Sequence, residues 1–373
     1  MKQRWDIFCK VVDNFGDIGI AWRLARQLVA EHGVAVRLWV DDLASFAPLQ
    51  PGASASAAQQ WHAGVDIRHW PQVWAACDAP AVVIEAFGCK LPEAYVAALA
   101  DGERTLWLNL EYLSAEPWVG GCHGLASLSG KGYQKFFFFP GFRPDTGGLL
   151  REGDLLAQRA VFQVNGRQAF LARLGVVPAE GAWLCSLFAY ENPALAGWLQ
   201  AMAEGPHPVH LLVPEGRIHG ELAAWLGQAA ALGQPCQRGA LTVQRLPFVE
   251  QNDYDCLLWA CDFNAVRGED SFVRAQWAGK PLLWHIYPQD EDAHRIKLEA
   301  FLDLYLAALD EPARQALGGL HRAWNFNGDM AAAWRQVHEH RSALAAHAER
   351  WCAEHAARLD LASALVQFHR NWL

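Results

Sequence analysis

At 373 residues the chain is long for one hydrophobic core and comfortable for two, and with 52% hydrophobic residues and a mean hydropathy of −0.01 it has the make-up of an ordinary globular protein. A formal net charge of −9 and a pI near 5.9 argue against a general nucleic-acid or anionic-membrane binder, so any bound anion must be held by local geometry. Nine cysteines, none in a C-x-x-C pair, read as reduced thiols of a cytoplasmic protein; the amino terminus lacks a signal-peptide core and no apolar run approaches a membrane span.

In chain order, the first half predicts strands near Ile7–Val12, Val36–Val40, Ile67–His69, Ala81–Glu85 and Thr105–Asn109, with helices near Ile20–Glu31 and Pro92–Asp101. The breaker-rich stretch Pro140–Gly148 continues no element and marks a domain boundary. A second series of strands is expected near Trp183–Leu187, His210–Val213, Thr242–Arg245, Phe263–Val266 and Pro281–Trp284, followed by an Ala-rich helical tail from about Ala331. Apolar, β-branched runs alternating with amphipathic stretches are the pattern of βα units on parallel sheets. The fold class is therefore α/β, two doubly wound domains facing across a cleft, with ligands expected at the carboxyl ends of the strands. Eighteen tryptophans sit mostly in apolar patterns such as Leu38-Trp39-Val40, which points to core packing over sugar stacking.

Two strand–turn–helix junctions carry the chemistry. The first, Asp13-Asn14-Phe15-Gly16-Asp17-Ile18-Gly19, has G-x-x-G spacing but lacks the G-x-G-x-x-G dinucleotide fingerprint. Its two carboxylates would repel a diphosphate and suit a cationic or proton-donating substrate. The second, Val266 to Arg274 (VRGEDSFVR), presents backbone amides at the positive end of a helix dipole, a ready diphosphate site. There Arg267 can neutralise phosphate, Asp270 and Ser271 supply amides, and Glu269 can accept from ribose hydroxyls; the same residue types are also ordinary helix caps. Phe188 and Tyr190, leaving another strand, either line that site or pack in the core. Asp41 and Asp42 end the second strand, where a dinucleotide fold keeps its ribose acid, so a nicotinamide-dependent dehydrogenase is an alternative.

Together the run Cys9 to Gly19 (CKVVDNFGDIG), Leu246 to Gln251 (LPFVEQ), Arg267 to Pro281 (RGEDSFVRAQWAGKP) and Trp284 to Gln289 (WHIYPQ) closely resemble EarP, the elongation factor P arginine rhamnosyltransferase family, and the resemblance spans essentially the whole chain. It implies GT-B architecture, with an acceptor-side Rossmann-like domain over residues 1–148, joined by the C-terminal helix at about 355–373, and a nucleotide-sugar domain over 149–354. It implies transfer of rhamnose from dTDP-β-L-rhamnose to an arginine of elongation factor P, with inversion. By the same resemblance Asp17 is the general base or guanidinium activator, Asp13 its neighbour, and Glu269 a further member of the catalytic group. Asn14, Phe15 and Gly16 shape the loop near the sugar, and Phe248 and Gln251 correspond to the thymine-binding segment. Arg267, Glu269, Asp270 and Ser271 form the ribose and diphosphate grip, while Phe188, Tyr190 and Tyr287 line the donor pocket.

The chemistry fits those roles. A guanidinium has a pKa above about 12 and is a poor nucleophile while protonated and delocalised, so a carboxylate must localise a lone pair and accept a proton. Inversion needs one in-line displacement, and charge developing on the leaving dTDP would be stabilised by Arg267 and the helix-start amides. No cofactor and no metal is expected: histidines and cysteines are scattered, and His338 and His340 read as solvated helix residues. The alternatives are a GT-B transferase acting on another protein or a small molecule, the dehydrogenase above, and a non-catalytic nucleotide-binding regulator.

Overall fold

The computed structural model describes residues 3–12, 15–71, 73–74, 78–127 apart from 101–104, 134–289 and 292–373, with 98–100 by backbone alone. The chain divides into two compact units, Met1–Gly153 with His355–Leu373, and Asp154–Glu354.

The first unit is built on an eight-stranded sheet of β1 (Arg4–Cys9), β2 (Ala35–Val40), β3 (Gln59–His62), β4 (Val65–His69), β5 (Val82–Ala86), β6 (Leu106–Leu110), β7 (Ala126–Ser127) and β8 (Lys135–Phe138). Its order is β3-β4-β2-β1-β5-β6-β8-β7. Only the hairpin partners β3 and β7 run antiparallel. From β1 the chain builds outward through β2 and β4, then returns to the other side of β1 to place β5, β6 and β8; the reversal makes a switch point between β1 and β5, where doubly wound sheets bind ligands. The strands flanking it are buried on both faces, as parallel strands covered by helices require.

Two boundaries differ from expectation. β1 stops at Cys9 rather than Val12, because the amides of Val11 and Val12 leave the ladder to donate to Asp41 Oδ1 and Asp17 Oδ2, each at 2.8 Å. The following helix starts at Phe15 rather than near Ile20 and runs to His32, so Asp17 sits in its first turn, where the helix dipole favours a carboxylate. The breaker-rich stretch stays with the first unit: Gly141 donates to the Gly148 carbonyl at 3.1 Å, Gly147 to that of Phe139 at 2.8 Å, and Arg358 to that of Phe142.

The helix Leu361–Trp372 packs on Phe15–His32. Gln27 donates to Asp360 Oδ1 at 3.0 Å and to the Arg151 carbonyl at 2.7 Å, Leu361 donates to the Leu149 carbonyl at 3.0 Å, and the His369 ring meets Trp5 edge-on at 5.5 Å.

The second unit carries a six-stranded sheet of β9 (Trp183–Leu187), β10 (Val209–Val213), β11 (Pro235–Arg238), β12 (Leu241–Arg245), β13 (Phe263–Arg267) and β14 (Leu282–His285), in the order β11-β12-β10-β9-β13-β14. All pairs are parallel except β11 with β12. Its switch point lies between β9 and β13. Tryptophan here is core material: Trp198 packs against Trp324 at 5.2 Å and Trp334 at 5.5 Å, and Trp183 stacks on Trp334 at 5.0 Å. Among the described residues no helix is long and apolar enough to cross a membrane.

Candidate active-site residues at the carboxyl edges of the sheets

At the switch point of the first sheet the central group is Asp17. Its carboxylate is buried and held at both oxygens, by the Val12 amide at Oδ2 (2.8 Å) and by the Tyr112 hydroxyl at Oδ1 (3.1 Å). Tyr112 follows β6, and its ring stacks on Phe87 at 4.7 Å and 23°. Phe87, just past β5, takes φ +58°, a left-handed conformation that a bulky residue adopts only where surrounding structure demands it. Two strand ends thus bond to one carboxylate, and a third, through Phe87, backs the Tyr112 ring. Burial first, and then the negative charge of Asp17, push the Cys9 thiol well above its ordinary range. That keeps a neighbouring sulfur neutral.

Of the other residues expected on this side, Phe15 and Gly16 open the helix and are half-buried. Asp13 and Asn14 lie outside the described residues. Asp41 accepts from Val11, and Asp42 caps the short helix Leu43–Phe46, accepting from Ala44, Ser45 and the Ser45 hydroxyl. The Ser45 hydroxyl lowers the Asp42 pKa most. Asp42 is therefore committed to capping, not to a ribose.

In the second unit β13 ends at Arg267. Its guanidinium carbon lies 4.5 Å from the ring centres of both Phe188 and Tyr190, which follow β9. Aromatic faces hold a planar cation in place without neutralising it. Gly268 turns the chain at φ +58°, a conformation suited to glycine, and its carbonyl accepts from the Trp284 indole at 3.0 Å. Glu269 and Asp270 are half-buried at the entry to the helix Asp270–Ala278. The Ser271 hydroxyl bonds to both the amide and the carbonyl of Arg267, so it fixes the turn that presents the guanidinium.

The helix Gln251–Ala260 begins with buried Gln251, preceded by half-buried Phe248. It is tied to Asp270–Ala278 by a buried bidentate pair, Arg274 to Asp255 at 2.8 and 2.6 Å. Tyr254, one turn on, meets Phe188 edge-on at 5.8 Å. After β14, Tyr287 stands exposed and touches Tyr190 edge-on at 5.5 Å, while Asn325 clamps the segment by donating to the Trp284 carbonyl (2.9 Å) and accepting from Ile286 (3.1 Å).

Three groups at these edges were given no role by the sequence reading. Tyr112 holds Asp17. His285, level with Arg267 in the β13–β14 register, packs on Tyr190 at 5.1 Å; burial first and the Arg267 charge second push its pKa down to about 3, leaving a neutral imidazole. Arg217, after β10, is paired with Glu191. The common signal is a polar residue within a few positions of the carboxyl end of a parallel strand.

Among the described residues, no group of three or more His, Cys, Asp or Glu could hold a metal ion.

Two doubly wound units with their polar constellations on the carboxyl edges are those of a GT-B glycosyltransferase. A solved structure from work on EarP-mediated arginine glycosylation of translation elongation factor EF-P superposes with a TM-score of 0.73 at 48% identity, covering 100% of both chains. A glycosyltransferase from Rickettsia africae, at 8% identity and a TM-score of 0.51, shares the fold alone over 99% of this chain and 98% of its own. The chain belongs to the EarP family: the model of the elongation-factor P (EF-P) rhamnosyltransferase EarP matches residues 5–370. Relatives called protein-arginine rhamnosyltransferase are 62% identical in Pseudomonas putida, over 100% of both chains, and 55% identical in Pseudomonas aeruginosa, over 99% of both.

Proposed function

We propose that this enzyme transfers L-rhamnose from dTDP-β-L-rhamnose to an arginine side chain of elongation factor P, with inversion at the anomeric carbon. The observation that carries the reading is Asp17, a buried carboxylate fixed at both oxygens at the switch point of the first sheet. Family membership and the names of the relatives support the acceptor class.

We assign Asp17 to accept from the substrate guanidinium, since a carboxylate is an acceptor at both oxygens and pairs well with a guanidinium's N–H groups. In the proposed step one guanidinium nitrogen attacks the anomeric carbon, the bond from that carbon to the phosphate oxygen breaks, and the proton lost by the nitrogen passes to Asp17. Asp13 is assigned to the remaining N–H groups. The electron pair of the broken bond leaves on dTDP, where Arg267 and the amides opening Asp270–Ala278 oppose the growing charge. Glu269 is assigned to the ribose, Phe248 and Gln251 to the thymine, and Tyr190 and Tyr287 to the donor pocket. The scheme requires no metal ion.

The test is the intact mass of elongation factor P after incubation with this protein and dTDP-β-L-rhamnose. A gain of one deoxyhexose, abolished when the acceptor arginine is replaced by lysine, is expected. Unmodified elongation factor P in the presence of demonstrated dTDP binding would overturn the acceptor assignment.

A further inference from the structure

The loops leaving β9 and β10 meet in an ion pair that the scheme above does not use. Arg217 Nε lies 3.1 Å from Glu191 Oε1 and 3.0 Å from Oε2, with the two side chains 56% and 49% exposed. Pairs this exposed are weak and easily exchanged. The surroundings, however, are not ordinary surface. Glu191 directly follows Tyr190, whose ring carries the Arg267 guanidinium on its face and Tyr287 at its edge. Its own backbone N–H first, then Arg217 and, through space, Arg267 hold the Glu191 carboxyl below its ordinary value. Arg217 in turn lies within electrostatic reach of Tyr190 and Tyr287. The Glu191 carboxylate therefore pairs with Arg217 and feels the charge of Arg267 at the edge where the donor diphosphate is expected.

We infer that Arg217 is a second diphosphate-binding arginine, held by Glu191 until the nucleotide arrives, and that Glu191 competes with the diphosphate for it. The inference rests on the donor assignment made above. A diphosphate offers the same two-oxygen face to a guanidinium as a carboxylate does, with more charge, so Arg217 can exchange one for the other through side-chain rotation alone. Glu191 then remains within electrostatic reach of Arg267 as a negative charge that repels the ligand. The two partners of one ion pair should consequently act in opposite directions. Removing Arg217 weakens nucleotide binding, and neutralising Glu191 strengthens it.

The experiment is calorimetric titration of dTDP into the wild type, Arg217→Ala and Glu191→Gln at low and at moderate salt, with thermal unfolding as the control for folding. Losing one charge-assisted contact predicts about tenfold weaker dTDP binding for Arg217→Ala together with a shallower salt dependence. Glu191→Gln is expected to bind a few-fold more tightly. If neither variant differs from a wild type that binds dTDP, or if both weaken it alike as a brace for the Tyr190 loop would, the inference fails and the donor assignment stands. A wild type that binds no dTDP overturns the donor assignment and this inference with it.

Discussion

Replacing Asp17 by asparagine isolates its proposed chemistry from its structural role. The side chains are of equal size, and the asparagine Oδ1 can keep the bond from the Val12 amide now made at 2.8 Å. Its amide then faces Tyr112, whose hydroxyl can turn from donor to acceptor at the 3.1 Å now spanned. Each hydrogen bond to the charged group becomes a neutral one, at a cost of about 1 kcal/mol per bond. Proton acceptance is lost altogether, and removing a positioned general base lowers the rate about 10²–10⁴-fold, or about 2.7–5.4 kcal/mol in the barrier. The assay is single-turnover transfer to elongation factor P followed by intact mass, alongside dTDP titration. Slow transfer with near-normal dTDP affinity and a cooperative unfolding transition is expected. Transfer within a few-fold of the wild type would refute the assignment of Asp17 as the base.

Ser271→Ala removes the hydroxyl that ties the Arg267 amide and carbonyl together, so dTDP binding should weaken about tenfold with little change in the acceptor KM; unchanged calorimetric affinity would show that the turn holds without it. Arg274→Ala strands the buried Asp255 carboxylate and should lower stability by about 3–5 kcal/mol in urea titrations, whereas Arg274→Met with Asp255→Leu should recover much of the loss. A single variant as stable as the wild type would contradict the buried-pair reasoning. His285 and His321 are pushed down to about 3 and about 4, chiefly by burial, so both stay neutral in the folded protein while the unfolded chain takes up protons below about pH 6.5. Stability should be full above that pH and fall by up to about 1.4 kcal/mol per pH unit for each histidine toward pH 4; equal denaturation midpoints at pH 7 and pH 5 would be inconsistent with it.

The central strands were legible because a parallel strand covered on both faces is a mostly apolar run, as in β5 (VVIEA) and β10 (VHLLV), each broken by a single polar residue. β3, β7, β8 and β11 were not read. β3, β7 and β11 are edge strands of two to four residues, and the polar Gln59–His62 and Pro235–Arg238 runs gain strand geometry only by pairing with a neighbour, while β8 is a four-residue run held between β6 and β7. The overlong reading of β1 has a different cause. Lys10-Val11-Val12 prolongs the apolar pattern, and nothing local reveals that two amides will bond to carboxylates 5 and 30 residues further on. In the candidate site, Arg267 and Ser271 were readable because one short motif contains them. Tyr112 and Arg217 follow separate strands that only the sheet order brings to the ends of their neighbours, and His285 ends β14 inside the Trp284–Gln289 run, where its burial against Tyr190 shows only once the strands are paired.

The helix Leu361–Trp372 covers the helix that carries Asp17, although some 350 positions separate them, a spacing illustrated by the 333-residue gap between Gln27 and Asp360. During synthesis the first sheet can pair as its strands emerge, yet Trp5 and the apolar side of Phe15–His32 wait for their cover until residues 361–372 leave the ribosome. The unit translated first is thus the last to be completed. Peptide-bond synthesis sets the earliest moment at which Asp17 rests on a finished scaffold.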